Sequence, residues 1–252
     1  MQTRTERVRV RFASGDVECV AWHYPGTNGA CVVMAAGGAV TKGFSLTGGH
    51  VFRVAARHPR LGAAVAQTPL VDGVRGAAQA GRHQRPLTML RVLGLGILDT
   101  LGGLAGRRPL LIPLAGEPGT VAMLTTPDGL DGDRALNPGN RYPEWLQMIA
   151  ARSGIRISLY RPGLDAPRIT GPLLVLVADQ DQTAPAELAV EAAKSAPHAD
   201  IAHVPGGHYA PFLDAHEQAV DTQLRFLRKQ LLAHGRAPGE FLTATSESDR
   251  IR

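Results

Sequence analysis

The sequence predicts an α/β fold built on a mostly parallel sheet. Two continuous apolar runs, Ala30–Ala35 and Leu173–Ala178, have the composition of strands buried on both faces, as parallel strands covered by helices are. After Pro172, strand-like and helical patterns alternate, with Pro185–Ser195 as a helix and Ile201–Val204 as the next strand. A length of 252 residues suits one α/β domain with a sizeable core.

Taken in order, Val8–Phe12 alternates polar and apolar residues, Ser14-Gly15-Asp16 turns the chain, and Val17–Tyr24 resumes the alternation. That pattern is an antiparallel hairpin. The apolar run Ala30–Ala35 ends in Gly37-Gly38. From Leu46 to His58, Val51, Val54 and Ala55 recur at helical spacing and Pro59 closes the helix. Leu61–Gln67 reads as a short buried strand. Between Pro69 and Pro172 regular alternation is lost: Pro86–Leu104 and Pro143–Ser153 are helical in pattern and Pro109–Leu114 strand-like. This segment, 70–171, is expected to be a cap inserted into a single domain spanning 1–236. Ala210–His234 is a long amphipathic helix with Val220, Leu224, Phe226, Leu227 and Leu231 on or near one face. The residues 237–252 mix Gly, Pro, Ser, Thr and charge, and are expected to be a flexible tail.

Composition narrows the function classes. With 44% apolar and 19% charged residues, the chain should fold. Its net charge of +5 comes from arginines scattered singly, without the runs that bind phosphate backbones, so no nucleic-acid partner is expected. Two cysteines, Cys19 and Cys31, make neither a disulfide framework nor a zinc site, and both fall in strand patterns. No His pair at i, i+4 with an adjacent Glu occurs, so no metal is expected, and no dinucleotide fingerprint occurs, so no cofactor is expected. Nor does any run have the length to span a bilayer, Leu93–Leu104 coming nearest, and Met1–Phe12 lacks the apolar core of about 7–15 residues that a secretory leader needs. No membrane partner and a cytoplasmic location are the corresponding expectations.

Three residues could carry chemistry. In Gly43-Phe44-Ser45-Leu46-Thr47-Gly48-Gly49-His50, small residues flank a serine between a strand end and a helix, as a nucleophile elbow requires. Thr47 stands where the commonest form of that motif has Gly, and a chance G-x-S in a chain with 29 glycines is the plain alternative. Asp181 lies on the loop after the apolar run 173–178, where a carboxylate can orient a histidine. Its alternative role is to cap the helix starting near Pro185, and Asp179 competes with it. His208 follows the strand-like Ala202-His203-Val204 and a Pro-Gly-Gly turn, the only one of nine histidines so placed. Each of the three sits at the carboxyl end of an expected strand, the edge where sites form in such sheets.

These segments resemble the α/β-hydrolase superfamily, in its dienelactone-hydrolase and prolyl-peptidase-like branch, which includes polyketide transferase-like hydrolases. The likeness covers roughly Val8 to Leu232. It is carried by Arg11-Phe12-Ala13-Ser14-Gly15-Asp16, Val32-Val33-Met34-Ala35-Ala36-Gly37-Gly38, the elbow, Thr68–Gly73, Gly116–Thr120, Thr126-Pro127-Asp128-Gly129, Tyr160–Gly163 and the segments holding Asp181 and His208. The resemblance implies Ser45 as nucleophile, His208 as general base, Asp181 as its orienting acid, and the Gly38 and Leu46 amides as oxyanion hole. It further implies a small-molecule acyl substrate, hydrolysed as an ester, thioester or amide. An acyltransferase would use the same triad, and a non-catalytic remnant that binds a ligand is the competing class.

Only Ala39–Phe44 separates Gly38 from Ser45, too little for a crossover between parallel strands, which takes a dozen residues or more. About two central strands and two helices of the family fold are therefore expected to be missing as a block. The cut ends would be neighbours on one sheet edge, and six residues can reach roughly 20 Å. Reduced activity, apolar surface left bare on the helix after Ser45, and homo-oligomerisation through an exposed sheet edge are the expected consequences.

Overall fold

A computed structural model describes residues 8–14, 17–23 and 43–232. Its described residues fall in two compact units, the hairpin in one and 43–232 in the other. The hairpin pairs β1 (Val8–Ser14) with β2 (Val17–His23) antiparallel, Val8 opposite His23 and Ser14 opposite Val17. An Arg11–Glu18 ion pair lies on it at 2.7 Å. The strand expected at Ala30–Ala35, the turn at Gly38 and the tail at 237–252 lie outside the described residues.

In the second unit, α1 (Leu46–Arg57) leads to β3 (Ala64–Gln67). The 70–171 segment begins with α2 (Gly73–Ala80), whose first amides are capped by the Asp72 carboxylate, which accepts from Val74 and Arg75 N–H at 3.1 Å. It continues with α3 (Pro86–Leu104), β4 (Leu111–Pro113), α4 (Pro127–Leu136), β5 (Met148–Ala150) and α5 (Ala151–Leu159). A 3₁₀ turn over Pro162–Arg168 leads into β6 (Leu173–Ala178), α6 (Ala186–Lys194), β7 (Ala199–Val204) and α7 (His216–Leu232).

The central sheet has the order β3-β6-β7, all parallel. β6 is its middle strand, and all six of its residues are buried, as its unbroken apolar run demands. One face packs Phe52 and Ala55 of α1 and Leu188, Ala189 and Ala193 of α6 against Leu173, Val175 and Val177. On the other, Leu176, Ala178 and Val204 meet Ala215 and Ala219. Phe44 adds a single parallel bridge to Gln67, placing the residue before Ser45 beside β3. The apolar surface expected to be bare on α1 is mostly covered: Phe52 is fully buried, while Val54 remains 47% exposed.

Three expectations are corrected. Against the expectation that no run has the length to span a bilayer, α3 is by length and composition apolar enough to cross one. Pro143–Ser153 is helical only from Ala151, where α5 starts. Asn137 Nδ2 donates to Gln147 Oε1 and its Oδ1 accepts from Tyr142 N–H, which holds 137–147 as a loop that β5 and then α5 follow. The long helix expected from Ala210 is broken too. A 3₁₀ turn over Ala210–Phe212 contains Pro211, and α7 starts only at His216. Ala219 and Phe226 form its buried side, and Val220 and Leu224 are exposed.

Candidate active site

Ser45 stands at the turn between the Phe44 bridge and α1, with φ 57° and ψ −119°. A non-glycine residue reaches that region only when its surroundings impose it, at a cost of about 1–3 kcal/mol. Three backbone bonds impose it here. Ser45 N–H donates to Gln67 O at 3.1 Å, and Ser45 O accepts from Gly49 N–H at 3.0 Å and Leu70 N–H at 2.9 Å. The chain is so close to itself that a Cβ on Gly48 would lie 2.7 Å from Gly43 O, and one on Gly49 would lie 2.2 Å from Leu70 O. Both glycines are therefore steric requirements of the elbow. Thr47 has its own use: its hydroxyl donates to Phe44 O at 3.0 Å, tightening the turn.

The Leu46 N–H opens α1 and is among the first amides that a helix leaves without an internal acceptor. It lies at the helix N-terminus, where positive partial charge gathers, a setting that suits a donor to a developing oxyanion. The second expected donor, Gly38, lies outside the described residues.

His208 and Asp181 meet on the loops that follow β7 and β6. The imidazole Nδ1 lies 2.8 Å from Asp181 Oδ2, and both side chains are 1% exposed. The other carboxylate oxygen accepts from Ala184 N–H at 2.7 Å, in the turn before α6, and the helix itself, with Pro185 at its start, has no side-chain cap. Burial pushes the Asp181 carboxyl above the usual carboxylate range, and the His208 ring and the Ala184 amide oppose that shift. Asp179 is turned elsewhere, toward the exposed His203 at 2.7 Å. The Phe44 ring packs on the His208 imidazole, centroids 4.6 Å apart, which sets the histidine beside the elbow. His208 Nε2 is buried and has no hydrogen-bond partner, so the Ser45 hydroxyl does not bond to it here.

Sequence reasoning missed the residue that ties the two loops together. Asp128, in the first turn of α4, accepts through Oδ2 from Gln182 N–H at 2.7 Å and from His208 N–H at 3.1 Å. Its Oδ1 accepts from the Thr183 hydroxyl at 3.0 Å. Thr126-Pro127-Asp128 carries the signal of a helix start, but nothing in that signal tells which distant amides the carboxylate meets. Among the described residues no three His, Cys, Asp or Glu side chains are grouped to hold a metal ion.

No family model matches the chain. It is 34% identical over 192 residues to the quorum-quenching protein AidA of Acinetobacter baumannii (strain MDR-ZJ06), a match covering 75% of this chain and 61% of that protein. Among solved structures it is similar to the alpha/beta hydrolase GrgF from Penicillium sp. sh18, with a TM-score of 0.54 and 20% identity over 75% of this chain and 62% of that one. DcsB, solved in complex with its substrate analogue, gives a TM-score of 0.57 and 19% identity over 75% of this chain and 63% of that one. The chain thus spans about three fifths of the length of these relatives. At such identities the two structures speak for the fold alone.

Proposed function

We propose that the chain, which has the fold of alpha/beta hydrolases and is 34% identical to AidA over 75% of its length, is a serine hydrolase of the α/β-hydrolase superfamily with reduced activity, working through an acyl-enzyme on a small-molecule ester, thioester or amide. The observation that carries this reading is the buried His208–Asp181 pair at 2.8 Å, on the same sheet edge as a serine held in a strained elbow. In the reaction, His208 Nε2 takes the Ser45 proton as Oγ bonds to the acyl carbon. The oxyanion is held by the Leu46 amide and by the expected Gly38 amide. Collapse breaks the bond to the leaving group, which takes the proton from His208. Water then repeats the sequence and frees the acid.

Reduced activity is supported by the short connection before the elbow and by the partnerless Nε2. Reacting groups must sit within about 1 Å of their places, and an error of that size costs around a hundredfold. That partnerless nitrogen also favours a second reading, a non-catalytic remnant that binds a ligand. AidA is named a quorum-quenching protein, so bacterial signal molecules belong in the substrate panel beside simple acyl esters.

The test is intact-protein mass spectrometry after exposure to a fluorophosphonate, with Ser45→Ala and His208→Ala alongside. A single adduct, absent from both variants, is expected. A folded sample without an adduct would leave the binding remnant as the reading. Turnover of a p-nitrophenyl ester at ordinary hydrolase rates, abolished by Ser45→Ala, would remove the claim of impairment.

A further inference from the structure

Helix α3 is amphipathic the wrong way round. Its buried side carries Thr88, Gly96 and Asp99, whereas Leu87, Leu90, Leu98, Leu101 and Leu104 are between 59% and 83% exposed. Three polar anchors fix this orientation. The Thr88 hydroxyl donates to Gly119 O at 3.1 Å, Asp99 takes two hydrogen bonds from the Arg152 guanidinium at 2.8 and 2.9 Å, and Asp99 Oδ1 accepts from Leu110 N–H at 2.7 Å. Rolling the leucines inward would break this ion pair and leave the buried Asp99 carboxylate without its partner. Together with Leu93 and Ile97, these side chains expose on the order of 800 Å², beyond the roughly 300–600 Å² of the largest patch on an ordinary monomer.

The spacing of that face says what fits it. Leu87, Leu90, Gly94, Ile97, Leu101 and Leu104 follow one another at intervals of three, four, three, four and three residues, the a/d seam of a coiled coil. Such a seam reads the same in both directions about its midpoint. In an antiparallel pair of identical helices, Leu87 of one copy meets Leu104 of the other, Leu90 meets Leu101, and Gly94 meets Ile97. The flanking Leu93 meets Leu98 in the same register. Gly94 matters most: a Cβ there would touch nothing within 4 Å of its own chain, so the space is open to receive the Ile97 side chain of a second copy. A standard protein–protein interface buries about 800 Å² per partner, so a contact that covered this face would be of that order.

We propose that α3 is a self-association surface, pairing antiparallel about a two-fold axis with α3 of a second copy. The contact lies on the 70–171 segment and not on the sheet edge that the sequence suggests. A dimer of this kind is isologous and closes on itself.

Sedimentation velocity of the full chain across a concentration series tests it, with Leu90→Glu/Leu101→Glu and Gly94→Leu as variants. A dimer is expected that weakens roughly thirtyfold or more in each variant, with unchanged far-UV circular dichroism. The substituted positions are open in the single chain, so the variants retain the fold. Orientation is read by mixing Leu90→Cys with Leu101→Cys under oxidising conditions, with the parent chain as control for Cys19 and Cys31. Crosslinks between the two variants are expected to dominate. A monomer at all concentrations, a dimer indifferent to both variants, or crosslinking chiefly of Leu90→Cys to itself would overturn the proposal. A monomer that floats with phosphatidylglycerol vesicles, and loses that in the double Glu variant, would assign the face to lipid instead.

Discussion

The backbone N–H of His208 donates to Asp128 Oδ2 at 3.1 Å, across 80 residues of sequence. The same oxygen accepts from Gln182 N–H, next to Asp181. One carboxylate on α4 thereby sets the spacing between the loop that carries the imidazole and the loop that carries its acid. The loops are also joined directly, Gln180 N–H donating to Gly206 O at 3.0 Å and Gly206 N–H to Gln180 Oε1, so Asp128 adds a second link, from the 70–171 segment, to the same junction.

Asp128→Ala should therefore lower the rate of Ser45 labelling without altering the Ser45 or His208 side chains themselves. A drop of ten- to a hundredfold is expected for a displacement of a fraction of an ångström, with a stability loss of about 1–3 kcal/mol for the unpaired amides. Asp128→Asn keeps one acceptor oxygen and should recover part of the rate. Equal labelling rates in all three proteins, measured by mass spectrometry time courses, would show that the loops hold their spacing unaided.

The elbow stores strain at Ser45, and a glycine there would release it. Ser45→Gly should be more stable than Ser45→Ala by about 1 kcal/mol, since alanine keeps the Cβ that φ 57° disfavours. Urea midpoints of the two variants, neither of which can be acylated, give the comparison without interference from chemistry. An alanine variant as stable as the glycine one would mean that the turn relaxes when the hydroxyl goes.

Much of this site was legible in the residues themselves. The apolar run 173–178 marks the middle strand, and the serine, aspartate and histidine stand out as candidates because each follows an expected strand end, which is a local pattern. What stayed hidden was non-local. The Asp128 clamp depends on amides 54 and 80 residues away, and the Asn137 loop on side-chain hydrogen bonds that apolar spacing does not report, which leave Leu146 exposed within the stretch expected to be helical. In α3 the helix was read to the residue, Pro86 to Leu104, yet its orientation was not. The rule that apolar faces turn inward fails there because a buried ion pair overrides it.

That ion pair gives a pH dependence with a definite sign. The Arg152 guanidinium, joined by the Leu110 and Arg152 amides, holds the Asp99 carboxyl well below the usual carboxylate range. A depressed folded value contributes stability that is present above the unfolded carboxylate value near 4 and is lost as pH falls through the folded one. Urea midpoints of the parent chain should fall between pH 5 and about 2 more steeply than those of Asp99→Asn, which has no such proton to gain. Parallel acid limbs for the two proteins would show that Asp99 stays paired, or stays unpaired, in both folded and unfolded chains.

The buried acid behind the histidine offers the sharpest division between a working triad and a remnant. Asp181 Oδ2 lies 2.8 Å from Nδ1 of His208; a carboxylate that accepts the Nδ1 proton leaves on Nε2 the free lone pair that a base acting on Ser45 needs. Asp181→Asn conserves size and can keep the Ala184 amide bond, but its amide can donate to Nδ1 and favour the other tautomer. If the triad operates, labelling of Ser45 should slow by about three to four orders of magnitude, with the urea midpoint little changed because burial already disfavours the Asp181 charge. If the protein is a remnant, the same substitution relieves a buried carboxylate with nothing lost, and the variant should match or exceed the parent in stability while neither protein takes up the probe. Measuring labelling and stability on one preparation of each protein separates the two cases, because a merely structural aspartate would move the second quantity without the first.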